Sequence, residues 1–300
     1  MADVAPIRLI VNADDFGMTM GVNRAVAELH DAGALTSTTL MAGGAAFDNA
    51  VRIARERPAL GVGCHVVLVD GTPTSQASNG SSLLARNGTF TSSMADFTLA
   101  VAARYTRPEH IEQEVAAQIA KLQDAGVNVT HVDTHKHTHL LPSVARAVMR
   151  GARRMGVERI RNPFEPAWCS ALSPAPLARR APFRFLHRFK SFFDQLLASE
   201  GMRSTTASLG LIATGSLDAA VLRRILNAAP PGEYELVCHP GHNDTELQQI
   251  RTKLRASREV EREALLAIIP HLAPTQFERI SFAGLPLQYN ESAGAFAEGT

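Results

Sequence analysis

Cysteine is scarce in this chain. Cys64, Cys169 and Cys238 are the only three, too few and too scattered for a disulfide framework. Net charge is nearly absent: 30 Lys+Arg against 29 Asp+Glu leave +1, so no overall field draws nucleic acid or an anionic membrane. No apolar run reaches the ~18 residues of a membrane span. The opening MADVAPIRLIVNADDF lacks a basic segment followed by an apolar one, so no signal peptide is expected and the predicted location is cytoplasmic. The turn after the first apolar run reads ADDFG rather than GxGxxG, which removes the chief support for a dinucleotide fold. The excess is in histidine, with 11 in all. His131, His135, His137 and His139 crowd one short stretch.

The remaining composition is that of an ordinary globular protein, 45% hydrophobic over 300 residues. A chain this long buries about 75% of its unfolded surface and needs no disulfides. Its length fits two domains of roughly 150 residues or one α/β barrel of about 250 with insertions. Short β-branched runs alternate with helical patterns. Strands are predicted at 7–12, 36–41, 62–68, 127–134, 158–162, 206–212, 234–239 and 278–282. Helices are predicted at 22–32, 47–57, 108–124, 144–155, 217–229 and 253–269. The polar stretch 71–93 reads as an active-site loop, and regularity lapses over 163–205. Repeated β-then-α units predict an α/β fold: a single TIM-like (β/α) barrel with seven or eight parallel strands over residues 1–300. An insertion around 163–205 would carry an aromatic, basic helix, and 288–300 would be a flexible tail. A doubly wound open sheet is the rival.

The polar clusters fall at equivalent places, at the ends of predicted strands. Asp14 and Asp15 follow the first, His65 lies late in the third, His135, His137 and His139 follow the fourth, and His239 and His242 follow Leu236-Val237-Cys238. Strand C-termini of a parallel barrel converge on one rim, so residues far apart in sequence would form one site. His131, Asp133, His135, His137 and His139 are all odd-numbered and share one face while the chain stays extended. Imidazoles and a carboxylate so arranged suit a divalent metal with supporting hydrogen bonds, with His131 placed away from the rim. The alternatives are plain ones. Asp14 and Asp15 would suit a turn or a helix N-cap, and Asp244 an N-cap. His65 would be a core histidine, His239 and His242 turn residues. Cys64 and Cys238, each preceding a histidine in a strand, point to the opposite face as small core residues.

NADDFG at 12–17, GCHVVLVDG at 63–71, HVDTHKHTH at 131–139 and CHPG at 238–241 together resemble the YdjC-like carbohydrate deacetylase family. That family includes chitooligosaccharide deacetylases and deacetylases associated with hopanoid biosynthesis. The motifs run through the chain from Leu9 to about Phe282, whereas 163–205 and the tail after Leu287 match none of them. The resemblance implies a hydrolase that removes the N-acetyl group of an amino sugar with metal-activated water. It implies metal ligands Asp15, His65 and His135, a catalytic base Asp14 and a catalytic acid His239; in such a mechanism Asp133 would hold a ligand imidazole in the required tautomer. One divalent ion is expected, zinc or magnesium foremost; manganese, cobalt and iron suit the same donors.

Arg161 has two readings, a sugar hydrogen bond at the rim or a structural ion pair. In APFRFLHRFKSFFDQLLAS the residues Leu186, Phe189, Phe193 and Leu196 form a helical stripe, broadened by Phe185, Phe192 and Leu197. It would pack on the barrel or on a second copy as a homodimer, or else dock at a membrane or receive a lipid tail. The expected partner is accordingly an N-acetylated sugar or glycolipid, with no nucleic acid. Two rival functions stand beside this: a metal-dependent phosphoesterase with two ions, and a non-catalytic sugar-binding protein.

Overall fold

The first apolar run, IRLIVNADDF, forms strand β1 (Ile7–Phe16) and is buried along nearly its whole length. Continuous burial rather than alternation is what a parallel strand covered on both faces requires. In this computed structural model, which describes residues 6–75 and 81–286, β1 sits within a parallel sheet. The other strands are β2 (Ser37–Leu40), β3 (Gly61–Val66), β4 (Val129–Thr134), β5 (Ala207–Leu209), β6 (Glu233–Cys238) and β7 (Phe277–Arg279). Their order is β4-β3-β2-β1-β6-β5, with β7 paired to the start of β1.

The two edges, β4 and β5, are spanned by single bridges, not by a further full strand. Val132 bridges Ile160 and Arg159 bridges Arg203, while the Ser208 amide donates to the Phe164 carbonyl at 3.1 Å. The architecture is therefore an α/β fold with a curled parallel sheet. The predicted strand at 158–162 reduces to these bridges, so the full closed barrel of the sequence reading is not what the hydrogen bonds record.

Local signals explain most helix ends. Thr19 caps Met20–Asp31 by accepting from the Val22 amide, and Pro108 opens Pro108–Asp124 where its missing N–H costs nothing. The helix Met94–Ala102, capped by Ser93, was not anticipated. The expected aromatic, basic helix of 163–205 is present as Leu177–Leu186 and Lys190–Glu200, and Ala167–Leu172 is a further helix ahead of it. Five prolines from Pro163 to Pro182 break up the pattern by which helices are recognised. Phe193 and Leu196 are buried, and Leu186, Phe189, Phe192 and Leu197 are half-buried against the main core. The aromatic stripe thus packs on its own protein, which removes Phe193 from any membrane face. Phe185 alone is open, 58% exposed, with the Arg188 guanidinium 3.8 Å from its ring centroid.

The main apolar core extends from Ile7 to Phe277 and includes Cys64 and Cys238, as expected for small core residues, and Ile10, Phe282 and Leu285 form a small second cluster. No described helix is long and apolar enough to cross a membrane. The tail at 288–300 lies outside the described residues, as does 76–80 of the predicted active-site loop.

Candidate active site at the strand ends

Adjacent residues of a strand point to opposite faces, yet Asp14 and Asp15 reach the same cavity. The register of β1 against β2 slips between Ala13 and Phe16, and Asp15 takes a left-handed conformation at φ 66°. Such a bulge re-aims a side chain, and aspartate tolerates that backbone better than most residues. Thr19, not either aspartate, caps the helix that follows.

Asp15 Oδ1 lies 3.5 Å from His65 Nε2 and 3.5 Å from His135 Nδ1, and the two nitrogens are 3.2 Å apart. A first-row divalent ion about 2.1 Å from each donor, with tetrahedral angles, needs donors about 3.4 Å apart. The triangle fits. Asp15 Oδ1 is moreover buried with no hydrogen-bond partner, a costly state for a carboxylate oxygen unless a cation faces it. The other oxygen, Oδ2, accepts from Arg258 Nη2. Burial pushes the Asp15 carboxyl up, but Arg258, His135 and His65 override it and hold the group well below the carboxylate range.

His65 presents Nε2 because Nδ1 is engaged by Asp133 Oδ1 at 2.8 Å. A carboxylate behind an imidazole fixes its orientation and raises its basicity. Burial lowers the His65 pKa, while Asp133, by charge and hydrogen bond, with Asp14 and Asp15, carries it up to about 9. The expected face of odd-numbered residues persists only to the end of β4. Past Thr134 the chain turns into a 3-10 segment in which Lys136 (φ 56°) and His137 (φ 53°) are left-handed, so His137 and His139 leave that face. His139 Nδ1 meets Thr134 Oγ1 at 2.6 Å; burial and the Arg161 charge push its pKa down to about 3. His131, away from the rim as expected, stacks on Phe282 at 3.8 Å. A Cβ at Gly63 would sit 2.6 Å from the His131 ring, so the glycine of GCH is what admits it.

Arg161 is fully buried and bridges three carboxylates, which decides between its two readings for the ion pair. Nη1 and Nη2 grip Asp14 Oδ2 and Oδ1 at 2.8 and 2.6 Å. Nη1 also pairs with Asp133, while Nε and Nη2 reach Glu235 Oε1 at 2.8 and 2.6 Å. Burial raises the Asp14 carboxyl, but Arg161, by charge and hydrogen bond, with His65 and His239, holds it well below the usual range. Glu235 goes the other way: burial, with Asp14 and Asp133 against the pull of Arg161, pushes it to about 7. Asp14, His65 and Asp133 also lie within ligand distance of one another, but Arg161 already takes both carboxylates. That leaves Asp15, His65 and His135 as the one candidate metal position among the described residues.

His239 follows β6 with Nε2 3.6 Å from Asp14 Oδ2. Its backbone amide donates to Glu261 Oε2 at 2.6 Å, and Glu261 Oε1 accepts from the Gly215 amide at 2.9 Å. Arg258 and Glu261, both buried on the helix Ala256–Ile268, thus hold the Asp15 carboxylate and the His239 backbone. Sequence reading passed over both, and Glu235 as well. The signal was present, since charged residues occupy the face shared with Leu265 and Ile268 and the interior of an apolar strand, YELVC. Of the remaining candidates, His242 Nε2 sits 3.2 Å from Glu28, and Asp244 caps Thr245–Gln249.

Residues 8–268 match the family described as YdjC-like protein. The chain belongs to that family. A carbohydrate deacetylase of Brevibacillus brevis is 40% identical over 162 residues, 54% of this chain and 60% of that protein. A chitooligosaccharide deacetylase of Salmonella typhimurium is 38% identical over 151 residues, 50% of this chain and 57% of its own. The matches thus span little more than half the length of these relatives. A crystal structure from Enterococcus faecalis, described as a candidate cellobiose-phosphate cleavage protein, superposes with a TM-score of 0.75. It covers 94% of this chain and 99% of its own at 22% identity, a likeness of fold.

In this YdjC-like chain Asp14, Asp15, His65, His135 and His239 line one cavity of about 680 Å³, a volume suited to a small ligand. A second hollow of about 470 Å³ lies by Asp48, Arg52 and Arg55 and has none of these donors. Backbone strain gathers at the first. Of five non-glycine residues with positive φ among those described, Asp15, Asp70, Lys136 and His137 line the cavity, and only Arg104 does not. A left-handed L-residue costs roughly 1–2 kcal/mol, least for Asp and Asn. Exposed ion pairs such as Lys136–Asp70, 2.8 Å apart at the mouth, return only about 0.2–1 kcal/mol.

Proposed function

We propose that the chain is a metal-dependent hydrolase that removes the N-acetyl group from an N-acetylated amino sugar. The observation that carries this reading is the Asp15–His65–His135 donor triangle, facing the same cavity as Asp14 and His239. Two imidazoles and one carboxylate leave coordination positions free for water and substrate, as catalytic sites require. The names of the Brevibacillus and Salmonella relatives point to the same substrate class, a sugar or chitooligosaccharide.

Asp15 through Oδ1, His65 through Nε2 and His135 through Nδ1 would hold the ion. The chemistry such an ion would supply is that of a Lewis acid, polarising the acetamide carbonyl and lowering the pKa of water from 15.7 toward about 7. Asp14 stays ionised beside Arg161, whose two-point grip fixes the carboxylate plane. Its Oδ2, on the side of His239, accepts the proton of the attacking water. His239 donates from Nε2 to the amine nitrogen as the C–N bond breaks, and acetate and the free amino sugar result. Asp133 keeps His65 in the tautomer that presents Nε2. Arg161 supplies no proton and no substrate contact.

The test is acetate release from N-acetylglucosamine and its short oligomers, with and without chelator, alongside metal content. Chelator-sensitive release with one ion per chain is expected. Two ions per chain with phosphate-ester cleavage, or sugar binding without release, would overturn the reading.

A further inference from the structure

We propose that Asp70 and Lys136 form a sugar-recognition pair at the cavity mouth, Asp70 accepting from and Lys136 donating to ring hydroxyls of the bound sugar. This rests on the reading of the cavity as an N-acetyl sugar site. The two residues come from different loops, one following β3 and the other β4, and meet at 2.8 Å between Lys136 Nζ and Asp70 Oδ2. Both line the cavity that holds Asp15, His65 and His135, and Lys136 directly follows His135. Their side chains are 32% and 31% exposed, open enough to meet a ligand. Asp70 Oδ1 accepts from no donor among the described residues.

Stability alone does not account for the pair. Lys136 and His137 both hold left-handed backbone, where glycine would sit without strain, and an exposed ion pair returns less than that conformation costs. Strain of this kind persists where the surroundings over-determine it, typically at ligand sites. Asp70, itself left-handed at φ 62°, is held in this way. Gln118 bonds both the amide and the carbonyl of Val67 at 2.9 and 2.8 Å. Glu114 accepts from the Thr74 and Ser75 amides, and the Asp70 amide donates to the Thr91 carbonyl at 2.8 Å. The helix Pro108–Asp124 thus fastens the loop on both sides of Asp70 and presents its carboxylate in place before the ligand arrives. A carboxylate and an ammonium side by side offer a hydroxyl pair an acceptor and a donor at once, the complement of a neutral polyol rather than of an anion.

The experiment is calorimetric binding of the β-1,4-linked dimer of N-acetylglucosamine to the zinc-loaded chain, with zinc affinity, melting temperature and steady-state kinetics measured in parallel. Asp70→Asn and Lys136→Gly are each expected to weaken sugar binding about tenfold or more, the loss of a hydrogen bond to a charged group. KM should rise far more than kcat falls. Zinc affinity should hold, and Lys136→Gly should melt no lower than wild type because glycine accepts φ 56° freely. Lys136→Arg, which keeps a cation and a donor, should retain more sugar affinity than Lys136→Gly. Sugar affinity unchanged in both Asp70→Asn and Lys136→Gly overturns the proposal. So does a parallel loss of zinc affinity, which would make the pair a latch for His135. Wild type that binds the dimer but releases no acetate removes the hydrolase reading and leaves the pair standing; wild type that binds no dimer removes the pair.

Discussion

Asp14 and Asp15 are neighbours in sequence, equally buried, and each is matched to one buried arginine, but their surroundings give them opposite capacities. Arg161 occupies both oxygens of Asp14, with Asn12 Nδ2 at 3.1 Å on Oδ1. Arg258 touches only Oδ2 of Asp15 and leaves Oδ1 without a hydrogen bond between two imidazoles. A carboxylate with both oxygens engaged is a fixed, oriented group. One with a bare inward oxygen is a cation ligand. The same residue type thus divides into two roles through the number of donors that each oxygen meets.

The largest expected effects break that contrast directly. Asp15→Asn should lose the metal and nearly all acetate release, whereas Asp14→Asn should retain one ion per chain and lose turnover by about 10³-fold or more, within the 10²–10⁴ typical of a general base plus its electrostatic share. Equal metal loss in both variants would erase the distinction. The arginines come next. Arg161→Met leaves three buried carboxylates without their cation and should destabilise the fold by about 3–5 kcal/mol in denaturant melts. Arg258→Met should chiefly lower metal affinity, about 10–100-fold by competition titration, as loss of a group orienting a ligand does.

The smallest effect sharpens the Arg161 side. One guanidinium cannot fully neutralise three carboxylates, so Glu235 carries the surplus, its pKa raised from 4.5 to about 7 by burial and its acidic neighbours. A raised folded-state pKa means that the native state holds the extra proton, so its stabilisation is complete below 4.5 and drains as pH rises through 7. Melting temperature should therefore fall between those limits, and Glu235→Gln should flatten that fall. A Glu235→Gln curve that overlays wild type would show the surplus lies elsewhere.

Much of this site was legible in the sequence because its parts are local signals. NADDFG, GCH, the histidine run and CHPG each follow an apolar strand, and β-then-α alternation sends such strand ends to one rim. The Asp15, His65 and His135 candidates converge as that argument requires. The periodic reading of HVDTHKHTH failed after Thr134, since period-two facing holds only while the backbone is extended, and Lys136 turns it left-handed. In the insertion the aromatic stripe was legible as a helix, whereas Ala167–Leu172 was hidden by the prolines around it. Glu235, Arg258 and Glu261 were passed over because a lone charge in an apolar pattern names no partner until the fold supplies one.

By itself, then, the sequence determined the element order, the apolar core and the residues brought to the strand ends, because hydrophobic periodicity and capping act over a few neighbouring residues. Tertiary structure alone decided which oxygen of Asp15 stays bare, that Arg161 is buried among acids rather than open to a sugar, and that the sheet curls with only bridges between β4 and β5. Those outcomes depend on contacts between groups as much as 243 positions apart, as for Arg258 and Asp15. Their strength comes from distance and burial, and both exist only once the chain has folded.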